Sequence, residues 1–171
     1  MEETWRYTAV SVTKYDPIFR NEKGHYTKNE WIGFFQIGKE FDDGELTFDS
    51  YTKMEEKYIQ AAMEFFRFHH CDQIVLKNVE KYDISGYNYG DKAELSGFID
   101  TISEGKPTPI SAISLLVKVI LRELFWADIF CTSSDIIACR FGHDFYMYFN
   151  SDKDLNALFV RIRALGLYVD K

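Results

Sequence analysis

Apolar positions recur along this chain with two periods, alternating near its ends and spaced by three and four through its middle. The run from Trp5 to Val12 is rich in aromatic and β-branched residues and predicts a first strand, ended by Tyr15-Asp16-Pro17. Asn21 to Gly24 has the composition of a turn. A less regular segment with Trp31, Phe34, Phe35 and Ile37 follows and stops at Asp43-Gly44. Thr47 is placed to cap a helix with Asp49 in its first turn. Tyr51, Met54, Tyr58, Ile59, Ala62, Met63 and Phe66 then keep helical spacing to about His69.

Residues 73–79 predict a short strand, 81–90 a loop crowded with Tyr82, Tyr87 and Tyr89, and 93–103 a short helix. Thr108 and Pro109 suit the start of a further helix whose apolar side is Ile113, Leu116, Val117, Ile120, Leu121 and Leu124. A hairpin is expected over 136–141 and 145–149, turning at Gly142-His143 in a type II′ geometry. In its second strand Phe145, Met147 and Phe149 face one way, Tyr146 and Tyr148 the other. Ser151 is expected to cap a last helix bearing Leu155, Leu158, Phe159 and Ile162. Gly166 ends it, and Leu167-Tyr168-Val169 can return as a strand beside the first. Strands at both ends with helices between them predict a single α+β domain over 1–171, an antiparallel or mixed sheet with helices mainly on one side.

At 171 residues, 46% of them hydrophobic and 17% aromatic, the chain can build a core without disulfides or metal. Its formal charge is −7, with no basic stripe, which argues against direct nucleic-acid binding. The acids are uneven: Glu40, Asp42, Asp43, Glu45, Asp49, Glu55 and Glu56 lie close together against Lys53 alone. Such a run reads either as a solvated turn and helix start or as a docking face for a basic partner. Two acids follow Met1 where a secretory leader would be basic. The most apolar stretch, 110–131, is interrupted by Lys118, Arg122, Glu123 and Asp128, so no membrane span is expected. Three cysteines, Cys71, Cys131 and Cys139, fit neither a zinc pattern nor a paired disulfide set. The expectation is a cytoplasmic protein with reduced thiols.

Groups that could do chemistry are isolated. His69-His70-Cys71-Asp72 offers imidazole and thiol together, but successive residues leave a helix end in different directions and no second ligand pair follows. His143-Asp144 falls at the hairpin turn and His25 in another turn. No phosphate loop, dinucleotide fingerprint or nucleophile elbow is present. No catalytic, cofactor-binding or metal-binding residue is assigned, and no cofactor is expected. Tyrosines beside acids, without clustered bases, suit a protein-binding surface better than a nucleic-acid platform. The expected contact residues are Asp42, Asp43, Glu45, Asp49 and Glu56 with Tyr82, Tyr87 and Tyr89.

Trp5-Arg6-Tyr7, Thr13-Lys14-Tyr15-Asp16-Pro17, Phe19-Arg20-Asn21-Glu22-x-Gly24-x-Tyr26, Glu30-Trp31 and Ile37-Gly38-Lys39 resemble small bacterial immunity proteins of contact-dependent growth-inhibition and related polymorphic toxin systems. Leu46-Thr47, Tyr51, Glu55 and Tyr58-Ile59 extend the likeness into the first long helix. Phe141-Gly142-x-Asp144-Phe145-Tyr146-Met147-Tyr148 resembles the family's late strand pair. The likeness covers about the first third of the chain and the C-terminal hairpin. It implies a cognate toxin domain, often a nuclease, bound and neutralised by protein–protein contact, and it brings no catalytic residue with it. An acidic antagonist can enter a basic nuclease cleft, gaining on-rate and specificity. Two other classes stay open: a small enzyme with a dispersed His, Cys and Asp site, and an adaptor for an endogenous protein.

Overall fold

The computed structural model describes residues 9–170. The first half of the strand expected over 5–12, with Trp5-Arg6-Tyr7, lies outside these residues. Strand β1 (Val10–Thr13) is followed by a 3-10 turn at Pro17–Phe19, where the Asp16 side chain accepts the Ile18 N–H. A second 3-10 turn at Phe34–Gln36 leads to a two-stranded ribbon, β2 (Glu40–Phe41) and β3 (Gly44–Glu45).

Helix α1 (Phe48–Phe68) begins at the expected Thr47, which shares a reciprocal capping box with Ser50. Of the predicted apolar side Tyr51, Tyr58, Ile59, Ala62 and Phe66 are buried and Met54 and Met63 half-buried, and Phe65 is buried beside them. After α1 come β4 (Gln73–Lys81), α2 (Lys92–Thr101), β5 (Thr108–Pro109), α3 (Ile113–Leu121), β6 (Phe125–Cys131), β7 (Ser134–Phe141), β8 (Tyr146–Asn150), α4 (Asn156–Ala164) and β9 (Tyr168–Asp170).

Seven strands form one antiparallel sheet in the order β5-β4-β6-β7-β8-β1-β9, and the fold is α+β. Val12 pairs with Val169, so the last strand does join the first. Two- and three-residue strands form the edges; β5 covers only Gln73 and Ile74 of β4, and farther along that edge the Glu104 carboxylate accepts the Asn78 and Val79 N–H groups. Met147 and Phe149 of β8 are buried and Tyr146 and Tyr148 half-buried, as alternation requires. The Phe149 ring stacks on Phe65 of α1 at 4.2 Å, which seats the long helix on the sheet. Leu158 and Phe159 of α4 complete that side of the core.

Strand β6 and the β2–β3 ribbon have no counterpart among the elements the sequence predicts, and three local assignments differ. Thr108 and Pro109 do not open a helix; they pair with Ile74 and Gln73 as a short edge strand, where a missing proline N–H costs no ladder bond. Ser151 does not cap α4, which starts five residues later with the Asn156 N–H held by Asp154. The β7–β8 turn is not type II′ at Gly142. Phe145, at φ 59°, takes the left-handed position of a three-residue loop, and the Gly142 N–H donates to the Tyr146 carbonyl. The Phe145 carbonyl is held by the Tyr58 hydroxyl at 2.6 Å, and its ring sits against Trp31, Tyr51 and Tyr58. Burial of the ring offsets the cost of left-handed backbone at a non-glycine residue.

Candidate partner-binding surface

The ribbon turns through Asp42 and Asp43. Asp42 accepts the Asn29 N–H at 2.9 Å while its own N–H reaches the Asn29 carbonyl, and Asp43 pairs with Lys28. These bonds lay the ribbon beside residues 28–31. Glu30, Trp31, Asp43 and Glu45 thereby line a hollow of about 130 Å³. Asp49 stands exposed in the first turn of α1, paired with Lys53, a contact worth little to folding. Glu56 faces elsewhere, into a hollow shared with Arg67 and Arg161, so the expected acidic face is split. Glu55 leaves the surface altogether.

That carboxylate is buried against Arg122, the residue that closes α3. Glu55 accepts from Arg122 Nε and Nη2, both at 2.7 Å, and Arg122 Nη1 reaches Asp91 at 2.7 Å and the Tyr87 hydroxyl. Burial works against the Arg122 charge, but the bonds to Glu55 outweigh it and raise the affinity for its proton. Burial pushes the Glu55 carboxyl upward, with Arg122 opposing. The network clamps the 82–91 loop onto α1 and α3. Tyr87, expected at the contact surface, is instead a buried member of this clamp. Tyr89 is half-buried, stacked on Phe48 at 4.8 Å. Of the three tyrosines Tyr82 is the exposed one, at 42%, its hydroxyl donating to Glu80 at 2.9 Å.

Tyr82 opens on a second hollow, of about 280 Å³, walled by Ile32, Glu123, Trp126, His143 and Phe145. Its shape follows from two chain ends. Glu123, at φ 58°, is the left-handed residue after α3: its N–H bonds the Ile120 carbonyl and the Leu124 N–H bonds that of Val119, closing the helix in a Schellman motif. On the opposite wall the β7–β8 turn lays the His143 ring on Trp126 at 4.7 Å, nearly parallel. Partial burial raises the Glu123 carboxyl, and His143 pulls it back. Nothing in the local sequence marked Glu123; a helix-ending residue that is neither glycine nor asparagine was the available signal.

The same motif disposes of the His69-His70-Cys71 cluster. His70, at φ 54°, is the left-handed residue after α1, and the Cys71 N–H reaches the Phe66 carbonyl. Cys71 and Cys131 form a disulfide across 60 residues, with Cα atoms 5.8 Å apart, which corrects the expectation of reduced thiols; Cys139 alone is free, and buried. His69 is buried between Phe65 and Phe68, and among the described residues neither ring nitrogen has a hydrogen-bond partner. Among the described residues no three His, Cys, Asp or Glu side chains gather as a metal site would need. No described helix is long and apolar enough to cross a membrane.

The chain matches no protein-family model, no curated protein and no solved structure. Some of the described residues quoted for the resemblance lie side by side. Lys14 lies within 4.2 Å of the Tyr15 and Trp31 ring centres and 3.1 Å from Glu30; burial lowers its ammonium to about 8, with Glu30 opposing. Tyr26 donates to Glu30, Tyr15 packs on Tyr26 and Tyr146, and the Lys14 N–H donates to Tyr58. These are packing residues: they fasten segment 14–31 onto the end of the sheet. What they hold outward is Ile32 and Phe35, 41% and 57% exposed.

Proposed function

We propose that this protein is an immunity protein that binds a cognate toxin domain, a nuclease, and neutralises it by protein–protein contact without catalysing a reaction. The observation that carries the reading is the exposure of Ile32 and Phe35 between two acid-bearing hollows, one walled by Glu30, Asp43 and Glu45, the other by Glu123. Exposed apolar side chains rimmed by acids have the make-up of an interface for a basic partner. A cleft evolved to grip phosphates is such a partner, and like charge keeps the antagonist itself off nucleic acid.

The reading places the protein in the cytoplasm. The Cys71–Cys131 disulfide runs against that compartment, where thiols are kept reduced. Trapping thiols in freshly lysed producing cells separates the two: three free thiols fit the cytoplasm, one fits an exported protein. The reading itself is tested by co-purification with the product of the neighbouring toxin gene. A variant with Asp42→Asn, Asp43→Asn, Glu45→Gln and Asp49→Asn should associate more slowly, with a flatter salt response and weaker growth protection, at nearly unchanged melting temperature. Unchanged association and protection would move the contact face elsewhere.

An enzyme is the second reading, favoured by Glu123 and His143 lining one pocket. Among the described residues neither bonds the other, and no serine, threonine, cysteine or lysine lines the hollow. Turnover abolished by His143→Ala would install that reading in place of the first.

A further inference from the structure

The Glu123 hollow has a composition that selects its occupant. Among the described residues Glu123 is the only Asp, Glu, Lys or Arg on its walls. Among the described residues the exposed Glu123 carboxylate makes no hydrogen bond or ion pair, which leaves both oxygens open to an incoming donor. A second acid stands behind the rim, since Glu80 pairs across the strands with Trp126 and accepts from Tyr82. The remaining walls are aromatic or aliphatic: Tyr82, Trp126 stacked with His143, Phe145 and Ile32. An acid at the mouth of an aromatic slot attracts a cation that can shed water cheaply and lie flat. Guanidinium does both, and it can bond a carboxylate through two parallel N–H groups; ammonium keeps its hydration and has no plane to stack. The volume, about 280 Å³, falls just below the usual span of roughly 300–1,000 Å³ for small-molecule sites and suits one long side chain. Exposed Ile32 and Phe35 beside it would bury against the polypeptide that supplies the side chain.

We infer that the hollow between the end of α3 and the β7–β8 turn receives an arginine side chain of a protein partner, paired with Glu123 and packed along Trp126 and Tyr82. For the source of the arginine this rests on the binding function proposed above; the recognition chemistry does not. Glu123 keeps its place at the end of α3, although glycine would fit that backbone better, because it supplies the pocket's charge.

The test uses the whole chain and small probes: N-acetyl-arginine methylamide, its neutral isostere N-acetyl-citrulline methylamide, and the norleucine equivalent, each titrated while the Trp126 indole N–H resonance is followed. The arginine probe should shift that resonance saturably, with citrulline and norleucine each about tenfold weaker or worse. Glu123→Gln should weaken the arginine probe by about tenfold while leaving the melting temperature unchanged. Tyr82→Ala, at an exposed position, should weaken it several-fold. Equal responses to arginine and citrulline, an unchanged response in Glu123→Gln, or no saturable shift would each overturn the assignment. Failure to co-purify with a toxin would strike the proposed function and leave a positive arginine titration standing; a toxin complex whose affinity ignores Glu123→Gln would do the reverse.

Discussion

Replacing Arg122 by alanine should be among the most damaging single changes in this protein. The guanidinium is buried and makes four hydrogen bonds, two of them to a carboxylate buried as deeply. Its removal leaves Glu55 without a partner in the core, and breaking one side of a buried pair costs about 3–5 kcal/mol. At this chain length each kcal/mol lowers the midpoint by about 2–4 °C, so a fall of roughly 6–20 °C is expected. The loss should depend on pH in a definite direction. In the variant, burial acts on Glu55 without Arg122 to oppose it, so its folded-state value rises further above the ordinary 4.5. A group raised on folding contributes most below its unfolded value and loses that contribution as pH rises through its folded value. The penalty should therefore be larger at pH 8 than at pH 5. Urea unfolding followed by tryptophan fluorescence at both pH values measures this. A double variant, Arg122→Met with Glu55→Leu, should recover most of the loss, since well-packed apolar replacements of buried pairs are often neutral. A single-variant cost below about 1 kcal/mol, or a double variant as unstable as the two losses added, would refute the clamp.

Glu123→Gly should raise stability by about 1 kcal/mol, because the left-handed backbone costs a non-glycine residue more than glycine's added freedom takes back; thermal unfolding checks this, and a loss would show that the carboxylate stabilises the helix end. His69 is lowered below its ordinary 6.5 mainly by burial, with Lys153 and His70 reinforcing and Asp152 opposing, so stability should be full above that pH and decline below it. His69→Phe should flatten the slope between pH 7 and 5, and an unchanged slope would place its origin elsewhere. Thiol titration of the unfolded, unreduced protein should find Cys139 alone, and reduction should cost up to about 4 kcal/mol for a 60-residue loop if the link acts through the unfolded chain. Leu158→Ala should cost about 2–5 kcal/mol by equilibrium unfolding, as expected for a side chain with no exposed surface.

The elements written by local rules were legible in the residues alone. Thr47 with its apolar repeat set α1, Gly166 set the end of α4, and alternation in β8 divided phenylalanines from tyrosines. Pairing of the last strand with the first followed because two apolar end strands in one α+β fold each need a neighbour. Short-range chemistry misled where a longer-range partner won. Thr108 and Pro109 carry a helix-start signature, yet the free edge of β4 takes them as a strand. Gly142 invites a tight turn, but the buried Phe145 ring fixes the loop instead. The candidate surface shows the same division. A run of acids fixes the charge of a segment but not which carboxylates face water. Only the folded chain takes Glu55 inward to Arg122, 67 residues away, and turns Tyr87 in beside it. The Glu123 hollow is the extreme case, since its walls come from segments near 32, 82, 123 and 143. No window of sequence contains them, because a pocket is made by the distances that folding removes.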